Sequence, residues 1–415
     1  MTLHQKHYFR LVLIIIATIF YFLANIQRVA VPGAIFSVLQ SDLGVCASKV
    51  TMFGAFFCYV YAFCQLIVGL MVDKFGGFRV IATGCVLFSV GAILFPISDS
   101  SSALYISRAL IGFGAATFYL SSIREVKKYA KDKNFSLAVS YILFIGYSGG
   151  IVANAPFVAV VNRFGWQNTL LSIGIFSAIL AFIYLSVLFI FKPVHTEKEV
   201  CFSLSPFREI LSNRKNIDVF LFGATNYGLY YVLQSVIGKK FLEDFCNFSV
   251  SDASVVLSVM AIVSALAGTI TAYISKLIGG KRAPIFKTVG ILSVISTLSV
   301  GALLFLDIHS KIIAFIFCIP SFIGSISPLL ILTLHYLNRY EISATAVSVQ
   351  NFCFFMTVGL LGMITGLLMN VYEPSDVNGV LVYPNQSYIL VYLLFSILSI
   401  IELIFAFKIK DEKLS

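Results

Sequence analysis

The sequence predicts an all-α integral membrane protein of twelve transmembrane helices in two six-helix bundles. Three observations lead there. The 415 residues are 59% hydrophobic and only 12% charged, where soluble domains carry about a quarter charged residues. Apolar runs of about 20 residues, long enough for a helix to cross a hydrocarbon core of roughly 30 Å, recur from Phe9 almost to Lys408. One long polar connection, 192–216, parts six such runs from six more. Lipid offers no hydrogen-bond partner, so each run must satisfy its own backbone, and none shows the ten-residue alternation of a barrel strand.

In order, the spans are placed near 9–38, 51–72, 78–97, 102–123, 136–161, 168–191, 217–238, 253–275, 284–306, 311–335, 342–370 and 387–408. The first begins after Lys6 and Arg10, runs far beyond a signal-peptide core and has no small-residue cleavage site, so it is expected to stay as helix 1. An even number of spans puts both termini on one side. Most of the 29 Lys and Arg fall on that side, among them Arg124, Lys127, Lys128, Lys131 and Lys133 after helix 4. The positive-inside bias makes it the cytoplasm. The short termini point to a bacterial inner membrane.

The formal charge of +10 is accounted for by insertion bias and by attraction to anionic membrane lipid, so no nucleic-acid partner is expected. Cys58, Cys64, Cys85, Cys318 and Cys353 lie within apolar spans as small packing residues. Cys46 and Cys246 fall in predicted outer loops, where an oxidising compartment would allow them to pair. The spans carry no metal-ligand spacing and no Ser/Lys or Asp pair. Neither an enzyme nor a metal or cofactor site is expected, and a receptor would be expected to carry a larger soluble domain.

The connection divides the chain into an N-terminal bundle (1–191), a linker (192–216, with Glu197, Lys198, Glu199, Arg208 and Arg214) and a C-terminal bundle (217–415). Faint repeats support two related halves. Ala138-Val139-Ser140 opens helix 5 and Ala346-Val347-Ser348 opens helix 11, while Gly76-Gly77 and Gly279-Gly280 close equivalent loops. Parallel repeats of this kind place a solute site between the halves near mid-membrane.

Between spans 2 and 3 the chain reads Gly69-Leu-Met-Val-Asp73-Lys74-Phe-Gly76-Gly77-Phe-Arg79. It resembles the G-x-x-x-D-[RK]-x-G-x-x-[RK] loop signature of the major facilitator superfamily. Arg108-Ala-Leu-Ile-Gly112-Phe-Gly114 in span 4 is similar to that family's R-x-x-x-G-x-G signature. With the twelve-span layout the resemblance covers the whole chain and implies the major facilitator fold, a pseudo-symmetric pair of bundles working as a secondary transporter by alternating access. It also implies a gating role for the loop, in which Asp73 pairs with Arg124 or another basic group at the end of helix 4. The second-half counterpart has Ser275 where an acid would be expected, which predicts a weaker latch there. Helix 5 reads Ala155 where the drug-antiporter signature has Gly, which argues against drug export. Asn25-Ile-Gln27-Arg28-Val29-Ala-Val-Pro32 is similar to a bacterial branch related to lysosomal dipeptide carriers and to amino-acid uptake carriers of intracellular bacteria.

A charged Arg at the centre of a membrane helix costs about 2.5–3.5 kcal/mol even on insertion scales, so each one needs a cavity, a partner or a route to the interface. Arg28 and Arg108 both lie within apolar runs, in the same half-leaflet of the N-terminal bundle, and could face one cavity. Glu402 is the one acid clearly inside a span, so the expected counter-charge of Arg28 is the solute. A carboxylate or phosphate suits its planar fork. Helix 7 bears Asn226, Tyr227, Tyr230, Tyr231 and Gln234 at three- and four-residue spacing, expected to face the cavity. Tyr61, Gln65, Tyr119, Gln350 and Asn351 add rings and donors able to receive an amino group. His335 reads as an interfacial residue.

The expectation is therefore a monomeric carrier for a small anionic or zwitterionic solute: an amino acid, short peptide or related organic anion bearing a carboxylate. An organophosphate is the alternative cargo, drug efflux ranks below it, and a membrane receptor is the alternative outside transport. With no acid for a proton relay, facilitated diffusion is credible, and a coupling proton or ion is left open.

Overall fold

The computed structural model describes residues 3–129, 132–192, 205–310, 313–377 and 379–411, with side chains from residue 7 onward except at 129, 132–137, 340 and 341. Lys6, Lys131, Lys133, Glu197, Lys198 and Glu199, named above, lie outside the described side chains.

The described residues are helical almost throughout. In order come α1 (Leu3–Ala30), α2 (Phe36–Leu43), α3 (Ala47–Phe75), α4 (Gly77–Ile97), α5 (Ser101–Tyr129), α6 (Asp132–Val152), α7 (Ala155–Phe164) and α8 (Trp166–Phe191). There follow α9 (Ser205–Ser212), α10 (Arg214–Val232), α11 (Gly238–Asp244), α12 (Val250–Leu277), α13 (Ala283–Phe305), α14 (Ile313–Ile323), α15 (Ser327–Leu337), α16 (Tyr340–Met369) and α17 (Asn385–Lys408). A two-stranded antiparallel hairpin, β1 (Ser375–Val377) and β2 (Val380–Val382), precedes α17. The sequence reading did not anticipate this hairpin.

Among the described residues ten helices are long and apolar enough to cross a membrane, and the α6–α7 pair, bent by 49°, makes an eleventh. The bend follows from Pro156 at the start of α7, since proline lacks the N–H that would continue the ladder. The predicted seventh span is helical throughout, as α10, a π-helical turn over Leu233–Ile237 and α11, but is not among the eleven. Its Asn, Gln and Tyr residues lower its hydropathy.

The chain forms two compact units. Unit 1 comprises residues 1–30 and 56–202, and unit 2 comprises 31–55 and 203–415. In unit 1, α4 packs on α5 and α8, and α1 on α5, α6 and α8. Glycine permits close approaches of this kind: a Cβ on Gly149 of α6 would run into the Phe22 carbonyl oxygen of α1, and one on Gly114 of α5 would lie 2.5 Å from that of Gly84 of α4. Small residues at such crossings are how membrane helices gain packing contacts.

In unit 2, α13 packs on α17, and α10 on α16 and α17. Residues 31–55 join this unit through polar contacts. Lys239 donates to the Ala34 carbonyl (2.8 Å), Ser37 to Glu243 (3.0 Å) and Gln40 to the Tyr383 hydroxyl (2.7 Å). Ion pairs Lys239–Glu243 (3.2 Å) and Lys240–Asp244 (2.8 Å) close the cluster. Cys46 and Cys246 are free thiols, one exposed and one buried.

Candidate substrate-binding site

In unit 1, α1 carries Tyr21, Asn25 and Arg28 on successive turns, with Gln27 beside Arg28. The Arg28 side chain is 8% exposed, and its Nη2 donates to Asn25 Oδ1 at 2.5 Å. Asn25 in turn donates to the Tyr21 carbonyl at 2.9 Å, so the helix backbone fixes the amide and the amide aims the guanidinium. Around this point Tyr21 stacks on Tyr119 with centroids 5.4 Å apart and contacts Tyr147 at 6.0 Å. Arg28, Tyr61 and Tyr119 all lie within electrostatic range of the Tyr21 hydroxyl. Tyr61 stacks on Phe57, and Gln65, one turn further along α3, is buried. A guanidinium, an amide and several phenols thus meet in one unit.

Arg108 answers to a different demand. It is wholly buried, Nη1 donates to the Gln27 carbonyl (3.1 Å) and to Gln27 Oε1 (3.4 Å), and its Cζ lies 5.1 Å and 5.8 Å from the Phe57 and Phe95 ring centres. These contacts pin α5 to α1 one turn from Gly112. Both arginines act on the Cys58 thiol, so they do share a neighbourhood, but Arg108 is occupied with packing.

Unit 2 corrects the expectation of a single polar face on helix 7. Asn226 donates to Glu402 Oε1 of α17 at 2.9 Å, and Ser293 of α13 donates to Glu402 Oε2 at 2.7 Å. This carboxyl is fully buried. Gln234 donates to the Leu257 carbonyl of α12 at 3.0 Å, and Tyr230 lies against Gly324. Tyr231 packs on both Tyr227 and Tyr230, with centroids 4.2 Å and 5.1 Å apart, and Tyr227 stacks on Phe354 of α16 at 4.5 Å. The cause is angular. At 100° per residue the five positions span about 140°, a little over a third of the helix circumference, and the π-turn displaces Gln234 further. Gln350 is buried against Phe220 and Gly223 of α10, whereas Asn351 stays half-buried one turn before Phe354.

The loop motif assembles in unit 1. Arg124 Nη1 donates to Asp73 Oδ1 and to the Gly69 carbonyl (3.2 Å). Gly76 holds φ 85°, a conformation open to glycine, and the Gly77 N–H donates to Glu125 Oε1 at 2.7 Å, where Lys128 also binds at 2.7 Å. A Cβ on Gly77 would fall 2.6 Å from Glu125 Cγ. Lys74 and Arg79 remain at the surface. Sequence reasoning missed Glu125 and the Lys239 to Asp244 cluster; the i,i+3 and i,i+4 charge spacings were their only signals.

Residues 13–363 match the family described as Major Facilitator Superfamily. The chain belongs to this family. This superfamily member is 23% identical over 37% of its length, and 36% of the relative, to a probable sulfoacetate transporter, SauU, of Cupriavidus necator. It is 25% identical over 40% of its length, and 31% of the relative, to a chloroplastic ascorbate transporter of Arabidopsis thaliana. The chain thus spans about a third of the length of the curated relatives it matches. The superfamily fold extends further: a bacterial homologue of the human lysosomal transporter Spinster, inward-facing and unoccupied, superposes with a TM-score of 0.74 at 14% identity, covering 97% of each chain.

Proposed function

We propose that this superfamily member carries a small carboxylate-bearing solute, an amino acid, short peptide or related organic anion, by alternating access, with Arg28 receiving the carboxylate. The observation that carries the proposal is the aimed guanidinium. It is buried in the first helix and oriented by a neutral amide, and it is bordered by phenols that can bind the rest of a polar solute. Two relatives described as carriers of organic anions, sulfoacetate and ascorbate, support the same reading. Tyr227, Tyr231 and Phe354 are the proposed aromatic surface of the second unit, and Asp73 with Arg124 the proposed gating latch. Arg108, Asn226, Gln234 and Gln350 are assigned to packing.

The test is a thermal-shift panel on the purified protein with carboxylates, sulfonates, phosphates and uncharged sugars, repeated on Arg28→Gln. Carboxylates should stabilise the native protein and not the variant. Stabilisation by uncharged sugars alone, or equal shifts in both proteins, would overturn the proposal. Stabilisation by phosphates alone would move the cargo to the organophosphate class.

A further inference from the structure

The two units carry related loops between equivalent helices, but only the first fills its charges internally. In unit 1 the motif acid Asp73 takes Arg124, and Glu125 takes the helix N-terminus together with Lys128. In unit 2 the acid position is Ser275, whose hydroxyl donates to the Lys281 carbonyl at 2.9 Å. The helix N-terminus there is served by Asp411, whose Oδ1 accepts the N–H groups of Arg282 (2.7 Å) and Ala283 (3.1 Å).

That leaves Arg282 incompletely answered. It is 5% exposed, its guanidinium lies over the Tyr336 ring at 4.6 Å, and its Nε stands 3.8 Å from Asp411, too far for a hydrogen bond. Its Nη1 is buried with no hydrogen-bond partner among the described residues. The same residue lines a cavity of about 920 Å³ at the end of unit 2 where α12, α15 and α17 finish, with Lys276, Lys281, His335, Tyr336 and Asp411 around it. Gly279 and Gly280 both hold φ 77° and have nothing within 4 Å of a Cβ position, so the loop leaves one wall open. Among the described residues three basic side chains therefore line the cavity with one carboxylate, itself engaged by two backbone N–H groups.

We infer that this cavity is a binding site for a phosphate-bearing anion, held by Arg282 with Lys276 and Lys281. The ligand supplies the negative charge that Asp73 supplies in the first unit. A phosphate offers the tetrahedral oxygens that a guanidinium fork and two flexible ammonium groups can share. The flanking side chains favour an acidic phospholipid as its source. Leu332, which lines the cavity, is an exposed apolar residue, as are Leu277 and Ile278, which lie in the chain between the lining residues Lys276 and Gly279; acyl chains would lie against them while the headgroup reaches inward, and basic groups at a membrane surface attract such lipids.

The test uses the full-length protein in detergent. Native mass spectrometry and thermal shift are run with short-chain phosphatidylglycerol, short-chain phosphatidylcholine and inorganic phosphate, on the native protein, Arg282→Gln and Lys281→Gln. Phosphatidylglycerol should bind and stabilise the native protein, and at least tenfold more weakly the Arg282→Gln variant. Lys281→Gln, at an exposed position that does not threaten folding, should weaken it severalfold. Inorganic phosphate binding with the same variant dependence would assign the site to a soluble phosphate compound. Equal binding of phosphatidylglycerol and phosphatidylcholine, or of phosphatidylglycerol to native and variant proteins, with no phosphate effect, would overturn the inference.

Discussion

Asn226→Ala should weaken the second unit by about 0.6–3 kcal/mol while leaving solute affinity nearly unchanged. The amide donates at 2.9 Å to a carboxyl with no solvent exposure. Its removal leaves a buried acceptor short of a donor, at a cost of about 1–3 kcal/mol. Interhelical hydrogen bonds within membranes average only about 0.6 kcal/mol, which sets the floor for a loosely coupled pair. Ser293 still donates to the other carboxyl oxygen, so the unit should remain folded. The assay is unfolding of the purified protein by heat or detergent titration, alongside KM for uptake into proteoliposomes. Because Asn226 and Glu402 act as one pair, the losses in Asn226→Ala and Glu402→Gln should sum to more than the double variant shows. Unaltered stability with a tenfold higher KM would refute the reasoning and return Asn226 to the solute face.

Asp73→Asn should alter stability by less than about 1 kcal/mol, since the partners are 34% and 42% exposed, yet change transport kinetics; unchanged KM and Vmax would remove the latch. Burial lifts the Asp244 carboxyl above its ordinary range, against the pull of Lys240, the Tyr383 N–H and the Tyr388 hydroxyl. A carboxyl raised in the folded state binds its proton more tightly there, so its stabilising contribution is full below the unfolded value of about 3.9 and is lost as pH rises through the folded value. Asp244→Asn should remove that part of the decline in stability above about pH 4, and an identical pH slope would contradict the assignment. Partial burial raises the Cys46 thiol, but hydrogen bonds from Ser48, the Lys49 backbone and Asn370 outweigh it and draw the thiol below its ordinary value. An impermeant maleimide should therefore label Cys46 from outside intact cells and spare the buried Cys58 and Cys85; labelling of Cys46 only after lysis would reverse the proposed topology.

Spans were legible because lipid imposes a crude requirement, length and apolarity, that a local window detects. Helix 7 shows where that ends: its polar residues marked it as special, but not which neighbour each would meet. Glu402 stood out as the acid inside a span and Asn226 as an amide inside another, yet nothing local says that helices 7 and 12 are adjacent. Arg108 likewise read as a candidate ligand until the Gln27 carbonyl and two phenylalanine rings accounted for it. The Asp73–Arg124 pair was expected because both ends lie in recognisable patterns. The unfilled Arg282 was half-visible, as a motif lacking its acid at Ser275, but the role of Asp411, 129 positions away, belongs to tertiary structure.

Uptake of a radiolabelled carboxylate solute, chosen from the thermal-shift panel, by proteoliposomes bearing Arg28→Lys and Arg28→Gln is the most direct measurement of anion recognition. The fork and its charge together predict partial uptake with lysine and at least a tenfold loss of uptake efficiency with glutamine, in protein that melts as the native one does. Native-level uptake by Arg28→Gln would show that the first-helix guanidinium does not recognise the cargo.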